Sequence, residues 1–550
     1  MKYVIGVDFG TLSARAVLVD SDSGEEIAEA VYNYDHGVMD KRLPSGRTLP
    51  EGFALQHPED YLRALEYTVK KVIDVSSVDA SAVAGIGIDF TACTLMCIDS
   101  DGIPLCMKAE FSDEPHAYVK LWKHHSAQSE ADEITALAKS RGEKWIELYG
   151  GRISSEWAFP KILETLRKAP RVYDAAYEFI DAGDWISLCL TGKDTRAHSM
   201  AGYKWLYSEE GYPQNDYFKA LDERLDGIIG TKVRAEILDI TKTAGAIDQR
   251  GAALTGLCEG TPVALPIIDA HAAMPALNIT ENGEMMMILG TSGCYILNYD
   301  EGKNIEGTAG YVKGAVLPGV CTYESGQSAL GDSYDWFVKN CVPEEYKADA
   351  KAQGISVHKL LRQKAMKQKV GESGLLCIDW FNGNRSILAD FDLGGAIIGL
   401  SLTSRPEEIY RAIIEGTAYG ARVILEHYEK NGVRIKRICA AGGIAQKDEM
   451  LMQIYADVLG REISVASRTQ AGAFGSAIYA SVAAGIYSSV KTAAQKFAKP
   501  DLRTYTPNNQ NHRLYTELYE EYKILHDYFG RENGVMRRLK RIRIEAESTK

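Results

Sequence analysis

No Cys-x-x-Cys pair occurs among the ten cysteines of this sequence, and no cysteine–histidine grouping has the spacing of a zinc site. Cys93, Cys97 and Cys106 lie closest together, and the set reads as reduced thiols, many of them buried as small apolar residues. No apolar run approaches the roughly 20 residues a membrane span needs. The opening MKYVIGVDFG has no basic start, long apolar run or cleavage site of a secretory leader. A cytoplasmic chain that binds neither membrane nor disulfide partner is expected. Positive charge is also in deficit: the formal net charge is −13, which argues against a nucleic-acid surface over the whole molecule.

Common catalytic signatures are missing too. There is no GxxxxGK[ST] loop, and Gly85-Ile86-Gly87 lacks the third glycine of a dinucleotide fingerprint. Ser325, in Glu324-Ser325-Gly326, does not sit in a GxSxG elbow. His124, His125 and His271 show no metal-ligand spacing and read as structural or exposed.

What is present is the composition of a globular protein, 45% hydrophobic and 25% charged over 550 residues. Length alone suggests roughly three to four domains, or two large ones with insertions. Tyr3 to Val7 and Ala16 to Val19 predict two strands around the polar turn Asp8-Phe9-Gly10-Thr11, and residues 25–34 predict a third. From Pro58, the positions Leu62, Leu65, Val69, Val72 and Ile73 follow helical spacing. Val83 to Asp89 and Leu95 to Asp99 predict another strand–turn–strand.

The opening device recurs. Residues 285–299 (MMMILGTSGCYILNY) are again an apolar strand, a Gly-Thr turn and a second strand, so Gly290-Thr291 stands where Gly10-Thr11 stood. A recurrence at that separation indicates a duplicated domain rather than a solenoid. Farther on, ICAAGG at 438–443, a helix marked by Met450, Leu451, Ile454, Tyr455, Val458 and Leu459, and a strand from Glu462 to Val465 alternate as in an α/β fold. The boundary is expected near residues 278–284. The stretch 505–550 reads as mainly helical, ending in the basic run Arg537, Arg538, Lys540, Arg541 and Arg543, a solvated helix end.

A tight Gly-Thr turn can aim backbone N–H groups and a hydroxyl at phosphate oxygens, and two such turns on facing domains would grip one polyphosphate. A single turn of this kind is more simply an ordinary hairpin; the pairing favours the ligand. Asp8 beside the first turn suits a magnesium ion held through water. Gly442-Gly443 after a strand permits close approach of a nucleotide, or is merely a permissive helix start. Asp269 ends the apolar run Val263 to Ile268 among small residues; it faces a cleft or caps the next helix. Spacing alone does not single out Trp122, Lys204 or Glu324.

The motifs together resemble the FGGY carbohydrate kinases, of the actin/hexokinase/heat-shock ATPase superfamily. The most specific piece is Gly395-Ala396-Ile397-Ile398-Gly399-Leu400, a spacer, then Glu408 to Glu415. VDFGT, DAHAAMPAL around Asp269, GTSG, FNGNR at 381–385 and AAGG at 440–443 follow in the family's order. The resemblance implies an α/β fold of two ribonuclease-H-like (actin-like ATPase) domains flanking a deep cleft. Residues 1–280 would form the sugar side, 281–504 the nucleotide side and 505–550 a helical extension.

The segments Leu121-Trp122-Lys123, Gly202-Tyr203-Lys204-Trp205 and Glu324 to Ser328 are similar to those of members that phosphorylate L-ribulose, and differ from those of xylulokinases and glycerol kinases. Carried over, Asp269 is the catalytic base. Ala92, Trp122, Lys204 and Glu324 shape the sugar pocket with it. Gly10, Thr11, Ser13, Arg15, Gly290, Thr291, Ser292, Gly442 and Gly443 line ATP, and Asp8 holds magnesium. The implied partners are ATP and a ketopentose, with a homodimer as candidate assembly. Three positions depart from the pattern: Leu12 where a polar residue is common, Gln470 where many relatives carry Glu, and Glu164 in place of a frequent tryptophan. Within the family, xylulokinase and glycerol kinase are the alternative readings; outside sugar kinases, the rivals are an actin-like ATPase coupled to a partner and a sugar-binding regulator with a dead kinase core. Neither needs Asp269 as a base.

Overall fold

The computed structural model describes residues 2–467, 470–499 and 501–548, so the last two residues of the expected extension lie outside the described residues. Two seven-stranded sheets organise the chain. The first contains β1 (Tyr3–Phe9), β2 (Ser13–Asp20), β3 (Glu26–Asn33), β4 (Val83–Phe90), β5 (Thr243–Ala246), β6 (Pro262–Ala264) and β7 (Ile267–Ile268). Its order is β5-β6-β4-β1-β2-β3, with β7 also on β4. The second contains β8 (Glu284–Leu289), β9 (Gly293–Tyr299), β10 (Tyr311–Lys313), β11 (Cys321–Gln327), β12 (Arg437–Ala441), β13 (Ile463–Ala466) and β14 (Leu502–Tyr505). Its order is β10-β11-β9-β8-β12-β13-β14.

The two sheets share one topology. In each, a hairpin (β1–β2, β8–β9) continues into a third antiparallel strand (β3, β11). The first strand pairs in parallel with a later one (β4, β12), a further parallel strand follows (β6, β13), and an antiparallel strand closes the set (β5, β14). The repeat anticipated from the two Gly-Thr hairpins therefore extends through five strands in chain order; the antiparallel edge strand takes the same place in both sheets, but β5 precedes β6 in the chain while β14 follows β13.

Local chemistry explains the elements that carry the site. The helix α1 (Pro58–Ser76) starts with Pro58 in its first turn and with the His57 ring accepting from the Glu59 N–H, and it ends at Ser77 in the left-handed region. Tyr61, Leu65, Val69 and Val72 bury its inner stripe, whereas the expected Leu62 and Ile73 are only half-buried at its edges. The other helices used below are α2 (Asp269–Ala276), α3 (Pro406–Lys430), α4 (Gly443–Lys447), α5 (Ala471–Ala483), α6 (Asn509–Asp527) and α7 (Val535–Ser548). None among the described residues is long and apolar enough to cross a membrane.

Helix α5 comes from the second half of the chain yet lies on the first sheet. Glycines allow it. A Cβ on Gly6 would stand 1.8 Å from the Ala473 carbonyl oxygen, and one on Gly87 would stand 2.0 Å from that of Ser476. On the helix's other side, a Cβ on Gly475 would meet the Ala272 carbonyl of α2 at 1.8 Å. Around this crossing Val4, Val17, Ala272, Met274, Met286, Cys439, Phe474 and Ile478 form one buried cluster drawn from both sheets.

The basic end of the chain differs from its sequence reading. Arg537 of α7 reaches Asp390 at 2.6 Å, and Lys540 pairs with Asp392 at 2.9 Å while donating to the Phe391 carbonyl at 2.8 Å. Part of the run is thus spent bracing the 389–392 loop, because two aspartates there face the helix.

Gly475→Ala should lower stability by about 1–3 kcal/mol or more, since the methyl group would meet the Ala272 backbone and α5, packed against Gly6 and Gly87, has no room to retreat. Gly394→Ala, whose Cβ would meet nothing within 4 Å, should stay within about 0.5 kcal/mol. Urea unfolding of both variants measures the difference, and equal midpoints would contradict the tight crossing.

Candidate functional site

β1 and β4 run parallel in a register that sets Gly6 beside Gly87, Asp8 beside Asp89 and Phe9 beside Phe90, with the two phenyl rings stacked at 4.9 Å. β7 pairs Ile268 with Phe90, so Asp269 follows immediately on the third neighbouring strand. Three carboxylates thereby collect at the C-terminal ends of adjacent parallel strands, where α/β sheets open their ligand crevices.

Asp269 is the first residue of α2 and makes no capping bond; its carboxylate accepts only from the N–H of Ala270, at 2.7 Å. The capping alternative is therefore not realised, and the group remains available to the cleft. Burial, followed by the neighbouring Asp8 charge, raises its pKa to about 7. Asp89 is fully buried and accepts from the Ser476 hydroxyl at 2.6 Å. Burial and the adjacent Asp8 push its carboxyl well above the usual range. Asp8 is raised mainly by burial, opposed by its hydrogen bond with Asp89 and by Arg15, whose guanidinium lies 3.5 Å away. Asp89 was not among the candidates read from sequence. Its signal was a short repeat, Ile5-Gly6-Val7-Asp8-Phe9 returning as Ile86-Gly87-Ile88-Asp89-Phe90.

Asp8, Gly10, Thr11, Ser13, Arg15, Asp269, Gly442 and Gly443 line one cleft of about 680 Å³, together with Gln446, Lys447 and Gly472. The two turns are alike but not equal: Gly10 N–H donates to Ser13 O, three residues on, and Gly290 N–H to Ser292 O, two residues on, both at 3.0 Å, so the second turn is one residue shorter. The second turn contributes Ile288 and Cys294 to the cleft wall, while Gly290, Thr291 and Ser292 stand outside that lining, with Thr291 exposed. Gly442 has a φ of 97°, and a Cβ there would stand 2.6 Å from the Leu289 carbonyl, so only glycine fits; beside Gly443 there is open space. Leu12 is 61% exposed at the cleft lip.

Lys204 and Glu324 line a neighbouring pocket of about 100 Å³. The Lys204 amino group donates to the Glu324 oxygens at 3.3 and 3.4 Å. Burial works to raise Glu324, but the Lys204 charge, then His271 and Arg385, overcome it and hold the carboxyl low. His271, 3.7 Å from Glu324, is kept neutral by burial, which lowers its pKa to about 4. Glu156, Trp157 and Arg385 share this pocket. Arg385 stood in the FNGNR segment without an assigned role, and nothing in spacing marked Glu156.

Trp122 stands outside the lining of both spaces and donates its indole N–H to the hydroxyl of Thr11, a residue of the large cleft, at 3.2 Å. Half-buried Ala92 sits in the turn after β4. The buried Lys161 amino group ties these segments together, donating to Cys93 O and Leu121 O, both at 2.9 Å. The departure at Glu164 has a partner set of its own. Its buried carboxylate meets the Lys120 amino group at 2.8 Å, the Ser126 hydroxyl at 2.6 Å and the His124 ring at 3.2 Å. The loop bearing Trp122 is thus anchored at both ends.

Residues 3–274 match the model of the FGGY family of carbohydrate kinases, N-terminal domain, and residues 285–484 match that of its C-terminal domain. The chain is 47% identical over 538 residues to the ribulokinase of Bacillus licheniformis, covering 97% of this chain and 98% of that protein. It is 46% identical over 556 residues to the ribulokinase of Geobacillus thermodenitrificans, covering 100% and 98%. Among solved structures, the gluconate kinase and the ligand-bound xylulose kinase of Lactobacillus acidophilus each superpose with a TM-score of 0.79. They are 20% and 21% identical, and each comparison covers 97% of this chain and 99% of the other.

Glu164→Gln should destabilise the protein by about 3–5 kcal/mol, because it leaves the Lys120 charge buried without its counter-ion. Denaturant unfolding measures the loss; a change under about 1 kcal/mol would show that the carbonyl and hydroxyl partners of Lys120 suffice.

Proposed function

The chain belongs to the FGGY family of carbohydrate kinases, and on that footing we propose that it transfers the terminal phosphoryl group of ATP to L-ribulose, giving L-ribulose 5-phosphate and ADP in the breakdown of L-arabinose. The observation that carries the reading is the position of Asp269, a carboxylate with one backbone partner at the junction of the large cleft and the small charged pocket. The choice of sugar rests on the full-length similarity to the relatives named ribulokinase.

In this reading residues 1–280 carry the sugar side, 281–504 the nucleotide side, and the enzyme works in the cytoplasm. The backbone of Gly10, Gly290, Gly442 and Gly443, with Thr11, Ser13, Arg15, Thr291 and Ser292, holds the nucleotide. The glycine-only position at Gly442 and the open space beside Gly443 suit a flat ligand lying on the backbone. Among the described residues no three His, Cys, Asp or Glu side chains are placed to hold a metal directly. Asp8, whose carboxylate is partly exposed at the cleft wall, fits a magnesium ion held through water, since that ion keeps much of its water shell. Bound there, the ion would supply charge neutralisation on the phosphates.

Ala92, Trp122, Lys204 and Glu324 orient the sugar. Lys204 donates only, ionised Glu324 accepts only, and Trp122 offers an apolar face with one N–H. A misplaced hydroxyl would leave buried polar groups unpaired, which is the basis of stereochemical choice. Asp269 takes the proton of the attacking hydroxyl. With a pKa of about 7, it is a strong enough base to help and is still ionised in much of the population near neutrality.

Turnover should rise about tenfold per pH unit below that value and level off above it, because only the ionised carboxylate accepts a proton. Asp269→Asn should reduce kcat by about 10²–10⁴-fold and remove this limb of the profile. Retained turnover, or an unchanged pH limb in the folded variant, would remove Asp269 from the role.

In a coupled ADP-release assay across ketopentoses, pentitols and glycerol, L-ribulose should give the highest kcat/KM. Lys204→Ala and Glu324→Ala should weaken sugar use more than ATP use. A preference for xylulose or glycerol would overturn the assignment of the sugar.

A further inference from the structure

The pocket holding Lys204 and Glu324 is also lined by a second pair of opposite charges, Glu156 and Arg385. Their closest nitrogen and oxygen are 3.6 Å apart, outside hydrogen-bond distance, and Glu156 is 4.0 Å from the His125 ring. The side chains remain 22% and 30% exposed. A guanidinium offers five donors and an ionised carboxylate only acceptors. A hydroxyl group accepts and donates at once, so one sugar hydroxyl, or two neighbouring ones, satisfies both charges together.

The pair is held in place from several directions. Asn384 and Asp390 exchange two backbone hydrogen bonds of 2.8 Å, closing the loop that carries Arg385. The Ser386 hydroxyl accepts from the Gly326 N–H at 3.2 Å, which fixes that loop to the strand bearing Glu324. From behind, Arg537 grips Asp390. In front, Arg152 donates to the Ala389 carbonyl at 2.7 Å, joining the loop to the segment that carries Glu156. The order along the site also follows: Asp269 feels the charges of Glu324 and Lys204, and those two share their pocket with Glu156 and Arg385.

We propose that Arg385 and Glu156 are specificity-determining residues that bind the hydroxyl groups at the end of the sugar remote from the phosphorylated hydroxyl, one residue from each half of the chain. The proposal rests on reading this pocket as the sugar site. It makes chain length, and not only stereochemistry, a quantity the enzyme measures.

The test uses the full-length protein, with L-ribulose and the four-carbon ketose L-erythrulose as substrates and folding checked by circular dichroism. Glu156→Gln and Arg385→Met should each raise KM for L-ribulose roughly 10–100-fold, the span of a lost charged hydrogen bond. KM for ATP should stay within about twofold. The shorter sugar, which ends before the pair, should keep its kcat/KM within about twofold, so the preference for five carbons over four collapses. An unchanged preference overturns the proposal, as does a parallel loss for both sugars and ATP. If Arg385→Met does not fold, the nearly isosteric Glu156→Gln decides alone. If the wild-type enzyme instead favours another sugar, the assignment of L-ribulose fails, and the same comparison with that sugar and its one-carbon-shorter analogue still decides the role of the pair.

Discussion

Everything in this structure depends on how closely α5 approaches the backbone on either side of it. Gly6 and Gly87 remove the side chains that would hold the helix off the first sheet, and Gly475 removes the one that would hold α2 off the helix. Close packing of this kind is intolerant of added volume. The same crossing sets the chemistry: Gly6 lies two residues before Asp8, Gly87 two before Asp89, and Ala272 three after Asp269. Residues Ala471 and Gly472, at the start of α5, then form part of the cleft wall. A Cβ on Gly472 would meet the Asp8 carboxyl carbon at 3.2 Å, so the helix start also limits the space around the acidic group.

The electrostatics divide along that wall. On the cleft side, Asp8, Asp89 and Asp269 crowd together and burial raises all three; like charges in a shared low-dielectric space resist joint ionisation. On the pocket side, Lys204 and Arg385 outweigh the burial of Glu324 and keep it an acceptor. A raised carboxyl beside a lowered one, in adjoining spaces, suits the division of roles proposed for Asp269 and Glu324.

The supporting layer is built differently on the two sides. The loop with Trp122 is tied down by buried charges, Lys161 on carbonyls and Glu164 on Lys120, His124 and Ser126. The loop with Arg385 is tied down by its own backbone pairing and by the terminal helix α7. Helix α7 thereby braces the loop that carries Arg385. Helix α6 adds to this through Tyr522, which donates to the buried Asp379 at 2.7 Å, just before the FNGNR segment.

Much of this was legible in the residues. Apolar runs broken by Gly-Thr turns located both hairpins, since an apolar run and a tight turn are local properties of the chain. Helix α1 was marked by spacing and by Pro58, and Asp269 by its place at the end of an apolar run. Asp89 was legible only as a repeat, because its importance comes from register with Asp8 across a strand pair 81 positions apart. The approach of Arg385 to Glu156, the service of Glu164 to the Trp122 loop, and the capture of Asp390 by Arg537 have no local signature at all. The hairpin strands, their turns and the duplication could be read from neighbours along the chain, which also left Asp269 at the end of an apolar run; its candidacy as the base came from the family resemblance. Which charges meet was settled by packing, because an ion pair between distant segments exists only once their backbones have been brought together and the water that would otherwise screen them has been excluded.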